Sequence, residues 1–353
     1  MDSVQSLDVL VASETLDGCF VQVSKFSQTL DSDFSITVKE TENHEDTLLQ
    51  LVDGKGDLAA VSGKWWAENE DERLQAKLFL PRKDPTLVLV SEDKLEYIPK
   101  NGVIVANSPL IKRQILRARR DLSVISSLQA INKDTLDVES ITALEDLRIN
   151  QEINGYVISR TLHELLPFKT RRHTLGIHKR VEERFKFIPQ GLSGFVVLIS
   201  RKGFQNQTLS RFNDNGAKIA FELEQMALSH IDEDIRPFVG IHAEQRKIGT
   251  ILKEAEKFQS KQIISSLIQP NQIKLDGKIR IEIMMEIVSY DGRVTGKIER
   301  MFKPDDAIGS VRNIIIEWNN LLETMTKDHP EEKRRNLPAT QRILQIHPPE
   351  NNT

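Results

Sequence analysis

The feature that most restricts the fold is a rhythm that occurs twice: a short apolar run followed by a segment of helical length. Leu7–Val11, Asp57–Val61 and Leu87–Val90 are such runs, and Phe34–Val38 alternates as a strand should, with helical stretches at Phe20–Leu30 and Thr47–Val52. Gly102–Ala106, Leu122–Ile125 and Gly155–Ile158 repeat the pattern, with helices at Pro109–Arg120, Glu139–Glu152 and Arg160–Leu166. Short, continuously apolar runs suit strands buried on both faces, and parallel strands need crossovers of helix length. The chain is therefore expected to build α/β units. Phe195–Ile199 is a later apolar run placed to rejoin the first sheet.

After the polar stretch Gln205–Asn215 the pattern changes. A helix over Ala217–His230, a strand over Val239–Ala243 and a long helix over Glu244–Ile268 come next. Ile279–Val288 and Val294–Phe302 flank Asp291-Gly292, a hairpin signature. An amphipathic helix over Asp305–Lys327 closes this unit, and the proline- and charge-rich end, 328–353, is expected to be mostly disordered.

The net charge of −4 argues against a nucleic-acid partner for the chain as a whole. No run approaches ~18 apolar residues, so no membrane span is expected. The start carries acids without a basic region, unlike a signal peptide. A single cysteine, Cys19, rules out an internal disulfide, which fits a reducing cytoplasm. Two segments are locally basic: Lys112, Arg113, Arg117, Arg119 and Arg120, and then Lys169, Arg171, Arg172, His173, His178, Lys179 and Arg180. Arg113, Arg117 and Arg120 share a helix face, so these segments form either an anion-binding face or an ordinary solvated surface. His230 and His242 belong to no metal-ligand spacing, and no metal is expected.

Several collinear segments resemble the porphobilinogen deaminase (hydroxymethylbilane synthase) family. Asp57-Leu58-Ala59-Ala60-Val61-Ser62-Gly63-Lys64-Trp65 is similar to the family's D-L-A-V-H-S-M-K-D, and Arg82-Lys83-Asp84-Pro85 to its R-E-D-P. Residues 99–110 resemble P-K-G-A-V-V-G-T-S-S-L, and Phe187-Ile188-Pro189-Gln190-Gly191-Leu192-Ser193-Gly194 resembles F-L-P-A-P-G-Q-G. Glu224 and Val239-Gly240-Ile241-His242-Ala243 fit a stretch of the third domain. The resemblance covers about residues 7–325. It implies two periplasmic-binding-protein-like lobes with a cleft, and a C-terminal α+β domain. Residues 1–95 with 190–206 would form lobe one, 96–189 lobe two and 207–327 the third domain.

The resemblance also implies a chemistry that this chain is not equipped to run. The family's primer-bearing cysteine falls on Ile235, which offers no thiolate, so a dipyrromethane cofactor is not expected. Its cleft aspartate falls on Trp65, whose indole donates a hydrogen bond but takes no proton. Family arginines fall on Ser13, Ile111 and Lys112. Ser62, Lys64 and Ser108 match the family, and with Trp65 and Lys112 they form the expected ligand-binding set. The expectation is a catalytically degenerate relative that binds a small anionic, tetrapyrrole-like ligand in the cleft. One alternative is an active transferase of the hydroxymethylbilane synthase type, with Glu14 or Asp17 as the missing carboxylate. The other is an interaction protein using the basic face of lobe two.

Overall fold

The computed structural model describes residues 5–30, 34–83, 85–134, 136–177, 182–205, 208–257, 259, 279–327 and 343–348. The first lobe is a five-stranded sheet. Strands β1 (Gln5–Ala12), β2 (Phe34–Thr41) and β3 (Leu58–Ser62) run parallel, with helices α1 (Cys19–Ser27), α2 (His44–Val52) and α3 (Gly63–Glu68) after them. The chain continues through β4 (Leu74–Phe79) and crosses to the second lobe with β5 (Leu87–Val90).

The second lobe repeats the plan. Strands β6 (Val103–Val105), β7 (Ser123–Ile125) and β8 (Gly155–Ser159) are parallel neighbours. Their helices are α4 (Pro109–Ala118), α5 (Ser127–Ile131), α6 (Val138–Ile149) and α7 (Arg160–Leu165), and β9 (Arg172–Leu175) closes the edge beside antiparallel β5. The chain then returns through β10 (Val196–Arg201), which lies antiparallel between β3 and β4. The two sheet orders, β2-β1-β3-β10-β4 and β7-β6-β8-β5-β9, are the same pattern.

Alternation of side chains explains why these strands read as unbroken apolar runs. Leu7, Val9 and Val11 of β1 enter one core, while Leu10 enters the other. In β10, Val196 and Leu198 follow the first three, and Val197 and Ile199 follow Leu10. Both faces of the first sheet are thus buried. The second sheet divides the same way, with Ile104 and Val157 on one side and Val105, Tyr156 and Ile158 on the other.

The third unit contains α8 (Asn215–Ser229), β11 (Val239–Lys247), α9 (Ile248–Lys257), β12 (Ile279–Val288), β13 (Thr295–Phe302) and α10 (Ala307–Thr326). Its antiparallel sheet shares a core with the first lobe through Phe221 of α8 and through Ile283, Met285 and Trp318. Two expectations change here. Glu244–Lys247 extends β11 instead of starting a helix, because Gln245 to Lys247 stay in register with β12 and Arg246 pairs with Glu282 at 2.7 Å. The helix starts at Ile248, and most of the rest of the expected span, 258 and 260–268, lies outside the described residues. Within the segment expected to be disordered, residues 343–348 are docked. Leu344 is fully buried and its N–H donates to Met325 O, while Gln345 O accepts from Tyr290 N.

The edge strands β4 and β9 were not legible in the sequence. They are partly polar, as edge strands commonly are, and β9 absorbs Arg172 and His173 of the second basic segment. His178, Lys179 and Arg180 lie outside the described residues.

Candidate functional site between the lobes

Three first-lobe helices begin where parallel strands end. Asn43 caps α2 by accepting from Asp46 N at 2.9 Å, and Ser62 caps α3 by accepting from Trp65 N at 3.2 Å. The turn into α1 passes through Gly18 at φ 87°, a left-handed conformation that suits glycine. A Cβ there would stand 2.9 Å from the side chain of Thr161 on α7. Leu16 packs into the core of the second lobe. The loop after β1 is therefore seated against the opposite lobe. In that lobe Ser108 caps α4, with Pro109 at its first position, and Ser159 caps α7. Capping hydroxyls accept from the helix and keep their own proton to donate.

The five expected ligand-binding residues separate into two groups. Ser62, Lys64 and Trp65 sit at the start of α3 in the first lobe, whereas Ser108 caps α4 of the second lobe and Lys112 lies on it. Lys64 is exposed, with Nζ 3.4 Å from Gln190 Oε1 in the returning segment. Lys112 is also exposed. Ser108 lines a cavity of about 160 Å³ with Asn107, Leu136, Ile158 and Ser159. Trp65 is half-buried against the first-lobe core, and its ring lies 5.2 Å from the His44 ring.

That contact leads to a group that motif reading missed. His44 is the first residue of α2 and is 6% exposed. Its Nε2 lies 2.5 Å from Asp17 Oδ2, and its Nδ1 is buried without a hydrogen-bond partner. Asp17 Oδ1 accepts from Cys19 N at 3.0 Å and from the Thr15 hydroxyl at 3.2 Å. Burial pushes the Asp17 carboxyl up, but the hydrogen bond and charge of His44 outweigh it, and the net shift is downward from 3.8. Cys19 is fully buried; burial, followed by the Asp17 charge, drives its thiol well above the usual thiol range. Of the two carboxylates considered from sequence, Asp17 is thus held by His44, which neighbours Trp65, while Glu14 is exposed. His44 carried no sequence signal, because Asp17 and His44 are brought together only by the β1–β2 pairing.

The Asp17 shift predicts a pH dependence. Its folded pKa lies below the unfolded value, so the unfolded chain binds more protons as acid is added. The stabilising contribution is complete above about pH 4 and is lost as pH falls through the folded value. Asp17→Asn is therefore expected to be less stable than wild type at neutral pH. Urea midpoints measured across the acid range should show that gap closing, and a gap constant with pH would contradict the assignment.

The other expected chemical groups are occupied. Ile235, at the primer-cysteine position, is half-buried against the core. The basic face of α4 is not free: Arg113 is 5% exposed, donates to Val288 O, and lies over the Phe238 ring at 3.6 Å. Arg117 pairs with Glu286 at 2.5 Å and also donates to Lys186 O. Arg120 alone of the three same-face arginines is exposed. Two of the three same-face arginines are thus taken up by the third domain, while Lys112 and Arg120 remain exposed.

The two matching sheet orders and the separate antiparallel sheet define a two-lobed α/β protein with a C-terminal sheet domain. No family model matches the chain. A "probable porphobilinogen deaminase" of Picrophilus torridus is 22% identical over 209 residues, covering 58% of this chain and 67% of that one. Another of the same description, from Methanopyrus kandleri, is 24% identical over 202 residues, covering 56% and 61%. The chain thus spans about two thirds of these relatives' length, and the two matches support a family-level relationship to the porphobilinogen deaminases. Among solved structures, a ligand-binding component of an ABC-type import system from Staphylococcus aureus is 12% identical at a TM-score of 0.33, covering 90% of this chain and 92% of that one. The periplasmic aliphatic sulphonate binding protein of Escherichia coli is also 12% identical at a TM-score of 0.33, covering 91% and 89%. No helix among the described residues is long and apolar enough to cross a membrane.

Proposed function

We propose that this chain is a deaminase-like protein whose cleft binds a small anionic, tetrapyrrole-like ligand without running the family's polymerisation. The observation that carries the reading is the pair of replacements in their settings. Trp65 is packed beside His44 at the aspartate position, and Ile235 is packed against the core at the cysteine position. A side chain without a thiol cannot hold a covalent primer, and an indole cannot take up and return a pyrrole proton. Anion binding draws support from Lys64 and Lys112, from the donor-capable hydroxyls of Ser62 and Ser108, and from the helix N-termini that these serines cap.

The Asp17–His44 pair favours a second reading, a transferase in which Asp17 has taken over proton handling from a neighbouring strand end. One assay separates the two. Purified protein is incubated with porphobilinogen, product is followed by absorbance, and intact mass is recorded on the same sample. The first reading expects no turnover and an unmodified mass. Turnover that disappears in Asp17→Asn would establish the second, and a mass increment matching a dipyrromethane would overturn the first.

A further inference from the structure

The loop after β1 and the start of α2 bring together three metal-ligating side chains of different chemistry. A carboxylate oxygen of Asp17, the sulfur of Cys19 and a ring nitrogen of His44 all lie within 4.8 Å of one another. We propose that they form a site for a single divalent transition-metal ion of the zinc class, open at the Asp17 side. The proposal does not depend on what the cleft binds.

The donor set selects the ion. A thiolate and an imidazole favour a borderline-soft cation over magnesium or calcium, and a carboxylate completes a set that zinc accepts. The charges also balance. A thiolate, a carboxylate and a neutral imidazole around a dication sum to zero, which limits the cost of placing charge in a low-dielectric setting. Cys19 and His44 are buried, while Asp17 keeps its side chain 26% exposed and gives the site a mouth. Three protein ligands leave a fourth tetrahedral position for water or an incoming anion.

Binding follows a simple balance. The ion takes the place of two protons, one on the Cys19 sulfur and one shared between His44 Nε2 and Asp17 Oδ2. Both protons leave to solvent, and thiolate, carboxylate and neutral imidazole are the forms that ligate the ion. Affinity should therefore rise with pH. The placement is also backbone-determined: Cys19 and His44 are the first residues of α1 and α2, held by the Gly18 turn and the Asn43 cap.

The chain's single cysteine makes the test specific. Untagged full-length protein is stripped with a chelator and titrated with Co2+, then with Zn2+. The expected result is one equivalent bound, a near-ultraviolet thiolate-to-cobalt charge-transfer band, and loss of that band as zinc displaces cobalt. Such a band requires Cys19, so the wild-type spectrum alone decides thiolate ligation. Cys19→Ser should abolish the band. His44→Gln and Asp17→Asn should weaken binding by at least about tenfold, with circular dichroism checking that each variant is folded. Absence of the band in wild type, or equal affinity in folded His44→Gln and Asp17→Asn, would overturn the site.

Discussion

Glu224→Ala is expected to destabilise the folded chain by about 3–5 kcal/mol, the usual cost of stranding one partner of a buried ion pair. Glu224 on α8 is fully buried and receives Arg82 through both guanidinium nitrogens, at 2.7 and 3.2 Å. Its oxygens also accept from Leu192 N and Ala243 N, each at 2.7 Å. Arg82 follows β4, Leu192 belongs to the returning segment and Ala243 lies on β11, so one carboxylate joins the first lobe, the hinge and the third domain. Removing it leaves Arg82, whose side chain is 10% exposed, with Ser193 O, Ala243 O and His242 as its remaining polar partners. Urea denaturation followed by intrinsic fluorescence measures the effect. Replacing both partners with apolar residues, Arg82→Met with Glu224→Leu, should recover much of the loss, because no charge is then left unpaired. A single-variant effect under about 1 kcal/mol would place the pair in the range of exposed bridges and refute this account.

Glu286→Ala should have a comparable effect, about 3–5 kcal/mol, on the other side of the third domain. Glu286 of β12 is 2% exposed and accepts from Arg117 and from Gln114, the latter at 3.0 Å. Gln114 is fully buried and also donates to Ile188 O at 3.0 Å, so the variant leaves an arginine charge and an amide without this acceptor. The consequence should be local as well as global. Arg113, one turn earlier, donates to both Val288 O and Ile346 O, which ties the docked segment 343–348 to α4. Hydrogen exchange in Glu286→Ala is thus expected to accelerate in α4 and at Tyr290 and Leu344 while α1 to α3 keep wild-type protection. Uniform acceleration, or none, would contradict an independent anchor for the second lobe. Each lobe thus has one buried arginine–glutamate pair among its contacts to the third domain.

These networks explain why the basic stretch on α4 could not be read correctly in isolation. Charge density along a helix says which residues share a face, but not whether that face meets solvent or another domain. Arg113 and Arg117 point at β12 because the third domain packs there. The same limit applied to Glu244–Lys247, whose composition suits a helix but whose β12 partner holds it in a sheet. Tertiary pairing outweighs a weak local preference of this kind.

What the sequence determined by itself was the part that follows from periodicity. The apolar runs of β1, β3, β5, β6, β8 and β10 specify buried strands, and the change of pattern after residue 205 marks the third unit. Tertiary structure decided what depends on distant residues meeting. The Asp17–Cys19–His44 cluster has no spacing signature, since its members are 27 positions apart at most and meet because β1 pairs with β2 and each strand delivers a helix start to the same edge. Whether a charge anchors a domain or faces solvent was decided there too, because burial belongs to the packed assembly and not to any segment of the chain.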